Sequence, residues 1–481
     1  MCHINNNPIY TAAQSFPHLA ACSYKTTVQY KDLPEQINNY LKLLRECNCV
    51  AGDRVLLIAS PSEYYIIALW ALFYGAIIAC PINPALPESK LKAIVSFLRP
   101  TLILYDDSTA AKVKSLGCRG LSMDDLHNNA QNYSQPAYSL PLLAEGQLTT
   151  AVATSGSTGT PRFAVHTLDN HLFAAVHANN NLPLNPCDVW LLSLPLFHVS
   201  GLSLLFRCIL AGATLLISSG KNIGDTLQLH PEISHVSLVP TQLARLLRTD
   251  AGARRLKELK GVLLGGAPAN RSLIKEARAR QVPLVRSYGM TETAAQFCAT
   301  KPGASLEELY SSGYPLVSES IRIDQDSSIK LRSPAIFAGY YQPNGTIDRL
   351  VTADGWFSTG DLGYFDAYGR LHVTGRKDTL FISGGENIYP EEIEGELKEL
   401  PEIEDAVVVE MPDNEYGALP VAFILWKDGC ARDQEWLLSR LSSFLPRYKI
   451  PRKIFDWPEQ SPPGMKTVRS FFRSLIDVSK S

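Results

Sequence analysis

The chain has 481 residues, more than one hydrophobic core usually supports, so two or more domains are expected. Hydrophobic residues make up 46% and charged residues 19%, which excludes disordered and fibrous classes. The formal net charge of -2 provides no global field for nucleic acid or for an acidic membrane surface, so neither is an expected partner.

Residues 1–10 are polar and lack the charged-then-apolar pattern of a signal peptide. The ten cysteines are scattered. Cys47 and Cys49 form the one close pair, a poor zinc signature without a neighbouring His or Cys cluster. Both observations fit a cytoplasmic protein with reduced thiols. Residues 54–59 read as a buried strand. Residues 64–82 are almost continuously apolar and nearly long enough to cross a bilayer. The run divides internally, however. Ser60 to Glu63 is a helix start, Gly75 a helix stop, and residues 76–80 a short strand ended by Pro81. No stop-transfer charges flank it, so no integral membrane segment is expected.

Further strand-like runs follow at 101–105, 149–153, 163–167, 189–194, 214–218, 235–239 and 261–264. Helices lie between several of them, including 241–247 with Thr241 as cap and 272–279 with Ser272 as cap. This alternation predicts a mostly parallel, layered α/β domain. The character changes near Lys377. A charged helix at 391–400, strands at 406–410 and 421–426, and a helix at 435–444 predict a compact α+β module of about a hundred residues. The expected division is 1–377 and 378–481.

Three segments carry chemistry. Thr154, Ser155, Gly156, Ser157, Thr158, Gly159, Thr160, Pro161 and Arg162 form a loop between two strands. Its backbone N–H groups and hydroxyls can wrap phosphate, and its glycines allow close approach. It lacks the Gly-Lys-Ser/Thr ending of a Walker loop, and a solvated turn is the plain alternative. In Tyr288, Gly289, Met290, Thr291, Glu292 and Thr293, the ring can stack on a base and the carboxylate can meet Mg²⁺. A helix N-terminus capped by Thr291 would use the same residues. In Ser358 to Asp361 and Gly375 to Asp378, a carboxylate can accept ribose hydroxyls and an arginine can reach ribose or phosphate. A turn acid and a surface ion pair would read the same way.

Together, in this order, the segments resemble the adenylate-forming superfamily of acyl- and aryl-CoA ligases, peptide-synthetase adenylation domains and luciferases. The resemblance runs from about residue 30 to 472. It implies ATP, Mg²⁺ and CoA as the small molecules used, with a large α/β domain followed by a small mobile α+β domain. It also implies that Thr154 to Arg162 is the phosphate loop and that Gly265, Gly266, Ala267 and Pro268 flank adenine. Tyr288, Gly289 and Thr291 would hold the nucleotide, Glu292 the Mg²⁺, Asp361 the ribose with Arg376 beside it, and Asp378 would be the hinge. Gly384 and Gly385 would enter the site for thiol transfer, and Lys466 would be the late catalytic lysine, with Thr154, Glu292 and His198 as its catalytic partners. Two departures stand out: Arg162 replaces the usual lysine, and Met465 intervenes before Lys466.

Residues 191–201 and 237–243 are similar to the o-succinylbenzoate–CoA ligases, the menaquinone-pathway branch of that superfamily. The implied partner is a small aromatic dicarboxylate, with His198, Ser200, Arg207 and Ser287 in its pocket. Arg207 sits within an otherwise apolar run from Leu204 to Leu210, where an unpaired charge is costly. Another aryl- or acyl-CoA ligase, a carrier-protein loader, or a nucleotide sensor without catalysis are the rival readings. A homo-oligomer is left open.

Overall fold

The computed structural model describes residues 7–133, 140–154, 162–218, 222–459 and 469–478. The chain divides into two compact units. The first comprises Met1–Gly266, Ala277–Ser320 and Arg332–Phe357; the second comprises Ala267–Glu276, Ile321–Leu331 and Ser358–Ser481.

Two large sheets organise the first unit. One has eight strands, with a parallel core of Leu148–Thr154, Ile78–Pro81, Arg54–Ile58, Leu102–Tyr105 and Gly120–Ser122. Its other edge is antiparallel: Arg162–Thr167 pairs with Leu148–Thr154, and Gly339–Tyr341 pairs with Arg162–Thr167. The second sheet has nine strands. Its parallel part runs through Ala20–Ser23, Thr214–Ile217, Val189–Leu192, His235–Leu238, Gly261–Leu264 and Leu284–Met290. Short, apolar, β-branched runs form these strands because both sheet faces are covered.

The covering layer is helical. Leu33–Glu46, Glu63–Tyr74, Leu168–Asn181 and Val199–Ala211 contribute to one apolar core together with residues from both sheets. Glu63–Tyr74 is buried all round from Tyr65 to Tyr74. That explains its membrane-like sequence: a helix with no solvent face needs no polar stripe. Among the described residues, no helix is long and apolar enough to cross a membrane. Gly75 ends this helix, yet its φ is an ordinary -82°. Packing there is tight, since a Cβ would lie 2.8 Å from Leu41 Cδ1 and 2.9 Å from Ile77 Cδ1, and those side-chain ends would have to shift.

The second unit is mostly antiparallel. Ile321–Ile323, Ser328–Leu331, Phe357–Phe365 and Leu371–Arg376 form a four-stranded sheet. Ile403–Asp413, Gly417–Trp426 and Lys453–Asp456 form a three-stranded one, packed by Pro390–Glu399 and Gln434–Leu441. The helix Arg469–Val478 packs on the other face of this sheet through Phe472 and Ile476.

Two expected helix starts are corrected. The helix read as 241–247 is Pro240–Leu247: Pro240 fills the first turn, and the Val239 N–H donates to Gln242 Oε1 at 3.0 Å. Thr241 is therefore inside the helix. The helix read as 272–279 is Arg271–Ala279. Its cap comes from far along the chain: the backbone N–H groups of Arg271 and Ser272 donate to the Glu399 carboxylate, the latter at 2.9 Å. Sequence reading favoured a local Ser, but a remote carboxylate took the role.

Gly201 fixes how Val199–Ala211 enters the core. A Cβ there would lie 2.3 Å from the Pro195 carbonyl oxygen and 2.5 Å from that of Leu194. Backbone cannot yield as a side chain can, so Gly201→Ala should destabilise by about 1–3 kcal/mol or more. Urea unfolding checks this; an unchanged midpoint would mean that the helix entry can shift freely.

Candidate nucleotide and acid site

In the first unit the expected phosphate loop leaves the sheet at Thr154 and returns at Arg162. The two are register partners at the open end of the antiparallel pair, and Thr154 Oγ1 donates to the Arg162 carbonyl at 3.4 Å. Ser155, Gly156, Ser157, Thr158 and Gly159 lie outside the described residues. The Arg162 guanidinium lies over the Tyr340 ring, 3.9 Å from its centroid.

Glu292 lies in a single 3₁₀ turn, Thr291–Thr293, directly after the strand Leu284–Met290. It is buried, and its Oε1 accepts from Tyr340 Oη at 2.5 Å. Its carbonyl accepts from the Phe337 N–H at 2.9 Å. Thr293 Oγ1 donates within the turn, and the Met290 N–H donates back to it at 3.0 Å. Ala294 then takes φ +58°, a left-handed conformation unusual for a residue with a Cβ. So Thr293, not Thr291, is the hydroxyl that organises the turn. Gly289 is required by close approach, because a Cβ would lie 2.0 Å from the Ala295 carbonyl oxygen. Magnesium prefers oxygen donors, and beside nucleotide phosphates it commonly takes one or two carboxylates. Glu292 fits that donor chemistry, with Oε1 fixed by Tyr340 and Oε2 not tied by a hydrogen bond among the described residues.

Tyr288, before this turn, and Thr291, its first residue, are half-buried, and Gly289 is exposed. Ser287 Oγ donates to the Leu264 carbonyl at 3.3 Å, across from Gly265, where a Cβ would meet that hydroxyl at 2.6 Å. Gly266 follows with φ +81°. Ala267 is exposed and begins the segment assigned to the second unit.

His198 is the N-cap residue of Val199–Ala211, half-buried with Phe197 beside it, and Ser200 is half-buried in the first turn. Arg207 is 2% exposed. Its Nε donates to Asn179 Oδ1 at 2.8 Å, and Asn179 Nδ2 donates back to the Arg207 carbonyl at 3.0 Å. Nη2 donates to the carbonyls of Leu182 at 3.0 Å and Ala178 at 3.4 Å, at the C-terminus of Leu168–Asn181. The guanidinium lies 4.3 Å from the Trp190 ring centroid. Nη1 is buried with no hydrogen-bond partner, and no carboxylate pairs with the charge among the described residues. Burial pushes the group down to about 10, so it remains cationic at neutral pH.

The Trp190 ring stacks on His235 at 5.1 Å, and its Nε1 donates to Ser237 Oγ at 3.2 Å. These partners of Arg207 and Glu292 carried little signal. Asn179 sits in a run of three asparagines, and Tyr340 sits in a plain strand.

In the second unit, Asp361 and Arg376 are directly opposite in the antiparallel ladder, and Arg376 Nη1 donates to Asp361 Oδ1 at 2.9 Å. Arg376 Nε also donates to Asp378 Oδ1 at 3.1 Å. The Asp361 N–H donates to Thr359 Oγ1 at 2.9 Å. Gly384 and Gly385 form the two-residue turn of a hairpin, with φ of +58° and +88°, as a primed turn demands. Lys466 lies outside the described residues.

The AMP-binding enzyme family matches residues 9–341, and the AMP-binding enzyme C-terminal domain matches residues 392–461. The chain belongs to the AMP-binding enzyme family. Within that family, it is 38% identical over 303 residues to a 2-succinylbenzoate–CoA ligase of Listeria monocytogenes, 63% of this chain and 64% of that one. A second ligase so named, from another strain of that species, is 32% identical over 88% of this chain and 89% of its own. Among solved structures, the o-succinylbenzoate CoA synthetase of Bacillus subtilis, in complex with its acyl-adenylate intermediate, superposes with a TM-score of 0.87. That match has 29% identity and covers 97% of this chain and 98% of the other. The α/β fold with a large N-terminal and a small C-terminal domain is thus that of AMP-binding enzymes.

His235 offers a test of the polar layer around Arg207. Desolvation lowers it from 6.5 to about 4; Asp188 pulls it upward, while Arg207 and Lys260 add to the depression. The unfolded chain therefore takes up a proton below about pH 6.5 that the folded chain refuses, and stability should decline from there towards pH 4. In His235→Gln that part of the slope, up to one proton, should vanish. Unfolding free energy measured against pH decides it: an unaltered slope would show that His235 is protonated alike in both states.

Proposed function

We propose that the protein is an o-succinylbenzoate–CoA ligase that works through an acyl-adenylate. One carboxylate oxygen of the acid attacks the α-phosphorus of ATP, and the bond to pyrophosphate breaks. The CoA sulfur then attacks the acyl carbon, and the bond to AMP breaks. No side-chain nucleophile is needed, so the protein's work is positioning and charge stabilisation. The single observation that carries the choice of acid is Arg207: a buried cation with an unpartnered Nη1 and, among the described residues, no carboxylate of its own. An aromatic dicarboxylate brings the missing anion.

The residue roles follow the chemistry of each group. Thr154 to Arg162 would cradle the phosphates, with Arg162 supplying charge. Tyr288 would face adenine, with Gly266, Ala267, Gly289 and Thr291 beside the nucleotide. Asp361 would accept the ribose hydroxyls, supported by Arg376. Glu292 would hold Mg²⁺, which when bound neutralises phosphate charge. His198, Ser200 and Ser287 would line the acid pocket. Asp378 would serve as hinge, Gly384 and Gly385 would enter for the thiol step, and Lys466 would stabilise the charge of the adenylation step. The cytoplasm, where ATP and CoA are at hand, is the setting this reading requires.

A two-by-two comparison tests the substrate. Arg207→Ala should raise the KM for o-succinylbenzoate sharply, by the equivalent of about 2–5 kcal/mol, and leave the KM for ATP nearly unchanged. The loss should shrink for a benzoylalkanoate that lacks the aromatic carboxylate. An equal loss on both acids would make Arg207 only a helix-capping residue and would remove the case for this acid.

A second test separates the half-reactions. Lys466→Ala should cripple pyrophosphate exchange, yet leave transfer from synthetic acyl-adenylate to CoA largely intact. Equal losses in both would refute the role given to Lys466.

A further inference from the structure

We propose that His166 and Tyr340 are positioning residues for Glu292, so that the strand leaving the phosphate loop also sets the place of the metal-binding carboxylate. This inference rests on the function proposed above. His166 is fully buried on Arg162–Thr167, and its Nε2 lies 2.7 Å from the carbonyl oxygen of Thr291, the residue before Glu292. A carbonyl only accepts, so Nε2 carries the hydrogen and Nδ1 is the acceptor. Nδ1 faces Thr150 Oγ1 at 3.3 Å, and that hydroxyl lies 2.9 Å from His171 Nε2.

The chain of donors then has one consistent direction. Thr150 donates to His166 Nδ1 and accepts from the His171 Nε2–H. His171 Nδ1 is left as a bare lone pair, and it is indeed the buried atom without a partner. A bare acceptor is tolerated better than a bare N–H. Every donor in the relay is therefore used, and its last one points at the Thr291 carbonyl.

Tyr340 makes the second hold. Its strand pairs with Arg162–Thr167, with Tyr340 opposite Ala164. Its hydroxyl donates to Glu292 Oε1 at 2.5 Å, and its ring lies under the Arg162 guanidinium. Arg162 and His166 are four residues apart on one strand, hence on one face. The two paired strands thus restrain the Glu292 turn together: His166 holds the backbone entering Glu292, and Tyr340, stacked under Arg162, holds the direction of its carboxylate.

The test is calorimetric ATP binding with and without Mg²⁺, using the whole chain. In the wild type Mg²⁺ should strengthen binding. Tyr340→Phe and His166→Leu should each lose about tenfold of that enhancement, as outer partners of metal ligands do. ATP affinity in excess chelator should stay near the wild-type value. His166→Gln, whose side-chain N–H can reach the same carbonyl, should recover most of the loss. The inference is overturned if the variants keep the wild-type Mg²⁺ enhancement, or if they lose ATP affinity equally with and without the metal. Should His166→Leu fail to fold, Tyr340→Phe decides alone. A wild type that binds no ATP would instead defeat the proposed function.

Discussion

The first unit depends on a dry layer. Glu63–Tyr74 and Val199–Ala211 share one apolar core with both sheets and meet where Trp70 and Phe73 touch Phe206, leaving little room for water. In such a layer every polar group must find a partner inside the protein or cost free energy. This constraint explains why the polar residues there form closed sets. Thr150, His166 and His171 satisfy one another in series. Arg207 exchanges bonds with Asn179 and caps a helix. Two atoms of these sets stay unpaired, the bare lone pair of His171 Nδ1 and the N–H groups of Arg207 Nη1, and an unused donor on a buried cation is the costlier of the two.

The second unit follows a different logic: apart from the buried Asp361, its described functional candidates are exposed or half-buried, and all are held by local backbone geometry. Asp361 and Arg376 meet since they are opposite in a ladder, not because a core forces them together. Gly384 and Gly385 adopt left-handed angles that a two-residue hairpin requires, and the Gly384 N–H is tied to the Tyr416 carbonyl at 2.9 Å. Such features are written in short stretches of chain.

That difference explains what could be read from the sequence. Buried strands and the helix–glycine–strand unit around Gly75 were legible, because hydrophobic period and turn residues act locally. The family was legible through the order of the motifs at 154, 288–292, 361 and 376. Illegible were the partners brought by folding: Asn179 for Arg207, Tyr340 and His166 for the Glu292 turn, Glu399 for the helix at Arg271. Each lies between 28 and 128 residues from the group it serves, and no local pattern announces it. The misplaced caps at Thr241 and Ser272 have the same origin, for a serviceable local hydroxyl was present but the fold used something else.

The interleaving of the two units along the chain matters for synthesis. The segments Ala267–Glu276 and Ile321–Leu331 belong to the second unit but leave the ribosome before most of it exists. The helix at Arg271 must wait for Glu399, 127 residues after Ser272, before its first turn is capped. During translation its leading amides lack their native acceptor until Glu399 is made, so the nascent chain carries an unfinished helix end. No single cut can then release either unit whole, and truncated chains ending between these segments would be natural clients for chaperones.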